Sequence, residues 1–380
     1  MTQNPTATKP ASSFRLRQEK IAALLPALGV QALALNPGPS LVYLTGLHFH
    51  LSERPVVALV APGQPLTLVL PELELGKASG LPYDVRPFPY GEDPAAWGSV
   101  FKAAIESHGP GLKKIGVEPI QLRLLELNLL QAARPGLQVQ SAEAELAALR
   151  MCKDETELAS MRTAAKIAQA ALLATLPAIK AGASERGIAA ELVLQLLRLG
   201  SDPSLPFPPI VSSGPNSANP HAVPSDRALK PGDLLVIDWG AAYQGYFSDI
   251  TRTFAIGKVE PEFERISQIV QNANAAGRAA CAPDILAEEV DGAARDVIAQ
   301  AGYGAQFFHR TGHGLGMEVH EAPYIRAGNR LVLKPGMTFT IEPGIYLEGR
   351  GGVRIEDDVV ITEKGSESLT DLPREVQRMD

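Results

Sequence analysis

The chain has 380 residues, 45% of them hydrophobic and 20% charged, and a formal net charge of −7. That length allows two domains with separate cores, and the acidic balance argues against nucleic acid or an anionic membrane surface as the main partner. No apolar run reaches the ~18 residues of a membrane span, and two cysteines, Cys152 and Cys281, are too few for a disulfide framework and lack metal-ligand spacing, so they read as free thiols of a cytoplasmic protein.

Residues 1–13 are rich in Thr, Ser, Pro and Asn and read as a disordered tail. The apolar run at 21–35 follows RLRQEK, as in a secretory signal, but Pro26 and Gly29 divide it into a helix end and a strand start. Patterning predicts a helix over 15–28, a strand over 32–35, turns at Pro37–Gly38–Pro39, strands over 56–60 and 66–70, a helix over 93–108, a strand over 114–117 and a helix over 122–133. This alternation implies an α/β domain over 14–145. Residues 142–180 hold no glycine and one proline, Pro177, so one long helix or two in succession opens a second, α+β domain over 146–380. Ser184 can cap a helix over 185–199. Strands follow at 210–211, 234–243, 246–255, 337–347 and 352–362, with helices over 261–280 and 285–300 between the strand groups. Helix, hairpin, helices, hairpin suggests two similar halves.

Four carboxylates stand inside the most apolar of these stretches: Asp238 in LLVIDWG, Asp249 in GYFSDITRTF, Glu342 in MTFTIEPGIY and Glu356 in GGVRIEDDVVI. Burying an ionised carboxylate without a partner costs several kcal/mol or more, and Arg252 and Arg354 are the only basic residues within these segments. His313, in HRTGHGLGMEVHE, lies between the second and third acids. Four acids and one imidazole suit two adjacent divalent cations, ~3.5–4 Å apart when carboxylates bridge them. The oxygen-rich set favours Mn²⁺ or Co²⁺ before Zn²⁺. A two-residue turn at Gln244–Gly245 would pair Tyr243 with Tyr246 and Gly240 with Asp249, making Asp238 and Asp249 diagonal neighbours on one face, ~7–8 Å apart at the backbone. Gly240 would leave room for an ion. For Glu342 and Glu356 the register stays open: a five-residue loop sets them opposite each other, a four-residue loop does not.

His320, in VHEAP, and His221, in the Asn/Pro/Ser-rich loop NSANPHAVPSD, stand where an imidazole could bond a scissile carbonyl or its oxyanion. Arg354, two residues before Glu356, suits a partner that orients a ligand carboxylate. His48 and His50, spaced to share a strand face, read as a substrate-facing or dimer-facing wall, with a metal pair as the lesser alternative. His108 and His309 read as surface residues.

DWGAAYQGYFSDITRTF, TGHGLGMEVHEAP, TIEPGIY and GGVRIEDDV resemble, in order and spacing, the pita-bread metallopeptidases, the family of methionine aminopeptidase, aminopeptidase P and prolidase. The resemblance covers residues ~150–370; residues 36–46, NPGPSLVYLTG, resemble the creatinase-type N-domain of the proline-specific branch. It implies metal ligands at Asp238, Asp249, His313, Glu342 and Glu356, outer histidines at His221 and His320, and an active-site arginine at Arg354. It also implies cleavage before a proline in second position by a metal-activated water, with Glu342 as proton acceptor, on small peptide substrates, by a homodimer. Some prolidases carry an arginine four residues after the second outer histidine to hold the substrate's carboxylate; here that position is Tyr324, and Arg326 is nearby. That departure tilts the expectation toward aminopeptidase P, with prolidase as the alternative. A methionine aminopeptidase-like enzyme and a non-catalytic peptide-binding module are more remote readings.

Overall fold

The computed structural model describes residues 11–380, so the first ten residues of the expected tail lie outside it; helix α1 begins at Ala11 and runs to Leu24. The chain divides into two compact units, Met1–Arg150 and Met151–Asp380.

In the first unit, a mixed six-stranded sheet is built from β1 (Ala32–Leu35), β2 (Val57–Val60), β3 (Leu66–Pro71), β4 (Val85–Tyr90), β5 (Lys114–Val117) and β6 (Gln138–Ser141), in the order β4-β3-β2-β1-β5-β6. The β1–β2 and β2–β3 pairs are antiparallel and the other three parallel. Helices α2 (Pro39–Thr45), α3 (Pro94–Glu106), α4 (Leu124–Ala133) and α5 (Glu143–Met151) complete the unit. Trp97, Phe101 and Ile105 on α3 pack onto Val57, Leu59 and Ile115 of the sheet. Three departures from the sequence patterning are local. Pro87 and Pro89 hide β4, which they confine to the edge of the sheet, where the missing N–H groups cost no ladder bonds. Pro39 starts α2, its fixed φ suiting the first helical turn, so the expected turn is a helix. The His48–His50 segment is not a strand, and both rings are exposed.

The second unit opens with α6 (Glu155–Thr175), separated from α5 at Cys152–Asp154. Asp154 caps α6 by accepting from the Glu157 N–H at 2.9 Å while the Glu157 carboxylate accepts from the Asp154 N–H. After α7 (Glu185–Arg198) come β7 (Ile210–Ser213), β8 (Leu234–Trp239), the short pair β9 (Ala242–Tyr243) and β10 (Tyr246–Phe247), and β11 (Ile250–Ile256). Helices α8 (Pro261–Ala280) and α9 (Ala287–Gln300) precede β12 (Gly312–Gly314), β13 (Glu321–Ile325), β14 (Thr338–Ile341), β15 (Gly344–Leu347), β16 (Gly351–Arg354), β17 (Asp357–Thr362), β18 (Gly365–Ser368) and β19 (Gln377–Met379). Two sheets dominate, ordered β19-β11-β8-β7 and β13-β12-β14-β17-β18. Their cores are apolar: Trp239, Ile237 and Phe254 pack with Leu172 and Leu192 of α6 and α7, and Phe339 and Ile341 pack with Val290 of α9. Among the described residues no helix is long and apolar enough to cross a membrane.

Candidate metal centre

The first hairpin turns at Gln244 (φ 52°) and Gly245 (φ 75°), both left-handed as a two-residue turn of this type requires. Tyr243 pairs with Tyr246, Trp239 with Ile250 and Asp238 with Thr251, so the expected register holds along the whole hairpin. Asp249 is therefore the diagonal neighbour of Asp238. Gly240 has a different purpose from the one its position suggests: a Cβ there would lie 2.0 Å from the Ser248 carbonyl oxygen, so the glycine permits the strands to close rather than holding space for an ion.

The second hairpin keeps one register through two sheets. Gly344 pairs with Arg354 and Leu347 with Gly351 in the outer arm, and Ile341 pairs with Asp357 in the inner arm, which sets Glu342 opposite Glu356. At that step the ladder opens. The Glu342 N–H donates to the Thr311 carbonyl at 2.7 Å and the Glu356 N–H to the Thr251 carbonyl at 3.1 Å, so one acid ties the hairpin to the residue before β12 and the other to β11. Thr311 is itself held by Asp291 of α9, whose Oδ1 accepts from its hydroxyl at 2.7 Å.

All five candidate ligands, with His221, His320 and Arg354, line one cavity of about 720 Å³. Asp238, Asp249, His313 and Glu356 are buried and Glu342 is half-buried. Nε2 of His313 lies 3.7 Å from Asp249 Oδ2 and 3.4 Å from Glu342 Oε1. Ligand atoms of Asp249, His313 and Glu356 all fall within 4.8 Å of one another. Nδ1 of His313 is 3.2 Å from the Gly314 carbonyl, which assigns the ring proton to Nδ1 and leaves the Nε2 lone pair facing the carboxylates. The His320 ring meets that of His313 edge-on at 4.2 Å between centroids.

The charges fit a bound cation. Burial, reinforced by the neighbouring acids, pushes the Asp249 and Glu356 carboxyls well above the usual carboxylate range, and burial raises Glu342 to about 7. Burial also drives His313 well below its ordinary value, so its ring is neutral and offers no compensating charge. Among the described residues, the one guanidinium bonded to a candidate ligand's side chain is Arg354, whose Nη2 donates to Asp238 Oδ2 at 2.6 Å, and the buried Asp238 Oδ1 has no hydrogen-bond partner. Four crowded acids and a neutral imidazole with one free carboxylate oxygen are a donor set for divalent metal.

Several neighbours were not legible beforehand. Arg354 orients Asp238 across the sheets rather than Glu356 two residues along the chain. Its Nη1 also donates to the Tyr346 hydroxyl at 2.9 Å, and its Nε to Thr251 at 3.1 Å. Of the run Glu356–Asp357–Asp358, only Glu356 lines the cavity. Asp357 is enclosed by Arg252 and Arg374, at 2.9 and 2.8 Å, and these outweigh burial and lower its pKa. Asp358 accepts the Asp249 N–H at 3.1 Å, and alternation along this apolar strand gave no sign of that contact. His309 is no surface residue: it lines the cavity, 3.0 Å from the Tyr346 hydroxyl, and burial lowers it to about 4. His108 is half-buried against Thr67. Arg326 is exposed and bonds the Ala327 carbonyl.

Comparison with known proteins agrees with this architecture. The family profile of the Creatinase/Prolidase N-terminal domain matches residues 17–152, and that of Metallopeptidase family M24 matches residues 159–363. The probable dipeptidase PepE of Mycobacterium tuberculosis is 39% identical over 374 residues, 96% of this chain and 96% of that protein. Among solved structures, the prolidase of Thermococcus sibiricus has a TM-score of 0.90 at 34% identity, covering 96% of this chain and 99% of the other. The X-Pro aminopeptidase of Thermotoga maritima has a TM-score of 0.83 at 32% identity, covering 95% and 99%. An α/β creatinase-type N-terminal domain followed by a pita-bread catalytic domain is the fold expected from the sequence, and the chain belongs to metallopeptidase family M24.

Proposed function

We propose that this chain is a metal-dependent Xaa-Pro dipeptidase that hydrolyses the bond before proline in dipeptides. The observation that carries the reading is the meeting of Asp238, Asp249, His313, Glu342 and Glu356 in one cavity with His221, His320 and Arg354. Two divalent cations held by the five ligands, Mn²⁺ before Co²⁺ or Zn²⁺, supply Lewis-acid polarisation of the carbonyl and lower the pKa of water. Glu342, on the cavity wall with its Oε1 3.4 Å from His313 Nε2, would accept the proton of the attacking water. His221 and His320 on the cavity wall donate to the carbonyl oxygen as negative charge develops. Arg354 fixes Asp238 in one orientation, leaving Oδ1 free for metal.

Tyr324 in place of an arginine favoured an aminopeptidase P on sequence grounds. The relatives support the opposite order, since a probable dipeptidase matches at 39% identity and a prolidase at a TM-score of 0.90, above the 0.83 of the X-Pro aminopeptidase. Mass-spectrometric digestion of Ala-Pro and Ala-Pro-Ala, with Mn²⁺ and with excess chelator, tests the choice. Chelator-sensitive cleavage of Ala-Pro alone supports the dipeptidase; release of Ala from Ala-Pro-Ala supports the aminopeptidase.

A further inference from the structure

A dipeptide carries its free carboxylate one residue beyond the scissile bond, so a dipeptidase needs a cation close to the ligand cluster and not already engaged. Arg354 is engaged: its guanidinium bonds Asp238, Tyr346, Thr251 and the Pro220 carbonyl. Arg326 lies outside the cavity lining. Arg310 remains. It is half-buried in the cavity wall, its charge acts on Glu342, His313 and His320, and its guanidinium has no hydrogen bond or ion pair among the described residues.

The Arg310 guanidinium carbon lies 4.7 Å from the centroid of the Tyr324 ring. Tyr324 is the cross-strand partner of His313, so this platform is anchored to the ligand strand. Stacking holds a guanidinium by its face and leaves its edge N–H groups free for a planar oxyanion, which they can bind in bidentate fashion.

We propose that Arg310, supported on Tyr324, binds the α-carboxylate of the substrate's C-terminal proline and makes the site selective for dipeptides; this rests on the dipeptidase reading above. Tyr324 thus carries the cation instead of being one, and the carboxylate grip comes from three residues before His313.

The test measures kcat and KM for Ala-Pro and for its C-terminal amide, alanyl-prolinamide, with the Mn²⁺-loaded wild type, Arg310→Ala and Arg310→Lys. Calorimetry of L-proline and L-prolinamide binding gives a readout independent of turnover. Arg310→Ala should raise KM for Ala-Pro about 10- to 100-fold more than KM for the amide, the range of a lost hydrogen-bonded charge contact. It should weaken proline binding more than prolinamide binding, and Arg310→Lys should recover part of both. Equal losses on acid and amide, or no loss on either, would overturn the assignment while leaving the dipeptidase reading intact. A wild type that prefers the amide or Ala-Pro-Ala to Ala-Pro would overturn the dipeptidase reading itself, before any variant is compared.

Discussion

The guanidinium of Arg354 and the carboxylate of Asp238 meet at 2.6 Å, joining strand β16 of one hairpin to β8 of the other. Both side chains are nearly closed to solvent, so the pair has little water to fall back on. Arg354→Met should destabilise the protein by about 3–5 kcal/mol, the cost of leaving a buried charge unpaired. It should also lower kcat/KM by about 10- to 100-fold, because Asp238 loses its orientation. Urea denaturation and steady-state kinetics on Ala-Pro would check the two effects separately.

Asp249→Asn removes the central acid of the cluster while preserving size. Turnover and tight metal binding should both be lost with the fold retained, because the backbone bond from Asp249 N–H to Asp358 does not need the side chain. Elemental analysis and circular dichroism are the measurements. A fully active variant would take Asp249 out of the site.

The raised carboxyls set a pH dependence for the metal-free protein. Glu342 is raised to about 7 from 4.5, so the folded state holds this proton more tightly than the unfolded chain. Its stabilising contribution is complete below about pH 4.5 and disappears as pH rises through 7, a change on the order of 3 kcal/mol. Asp249 and Glu356 act in the same direction. Metal-free protein should therefore lose stability relative to Glu342→Gln between pH 5 and 8, and Mn²⁺ should raise the Tm more at pH 8 than at pH 5.5. Thermal melts in both states would show no such pH-dependent difference if these carboxyls titrate normally.

Gly240→Ala places a methyl 2.0 Å from the Ser248 carbonyl oxygen, and that oxygen belongs to backbone that cannot swing away. The hairpin must open, costing about 1–3 kcal/mol or more. Metal affinity should fall with it, since the approach of Asp238 and Asp249 depends on that closure. Thermal melts and metal titration would test both.

What could be read beforehand follows from how local each constraint is. The Gln244–Gly245 turn fixes its hairpin through two residues, so the diagonal relation of Asp238 and Asp249 was derivable from the sequence alone. The pairing of Glu342 with Glu356 depends on a loop whose length the sequence leaves open, and only its continuity with Ile341↔Asp357 settles it. Contacts between sheets carry no periodic signature: neither the Arg354–Asp238 pair nor the burial of His309 beside Tyr346 follows from strand alternation. Edge strand β4 escaped notice because its prolines are permitted by its position in the sheet, and that position is itself a tertiary property.

If Asp238, Asp249, His313, Glu342 and Glu356 bind two divalent cations needed for Xaa-Pro hydrolysis, activity must follow metal loading. Stepwise addition of Mn²⁺ to chelator-stripped protein, with Ala-Pro cleavage followed at each point, tests it directly. The expected result is an inactive starting point and activity that saturates near two equivalents per chain. Full-rate cleavage of Ala-Pro by the metal-free protein would contradict it.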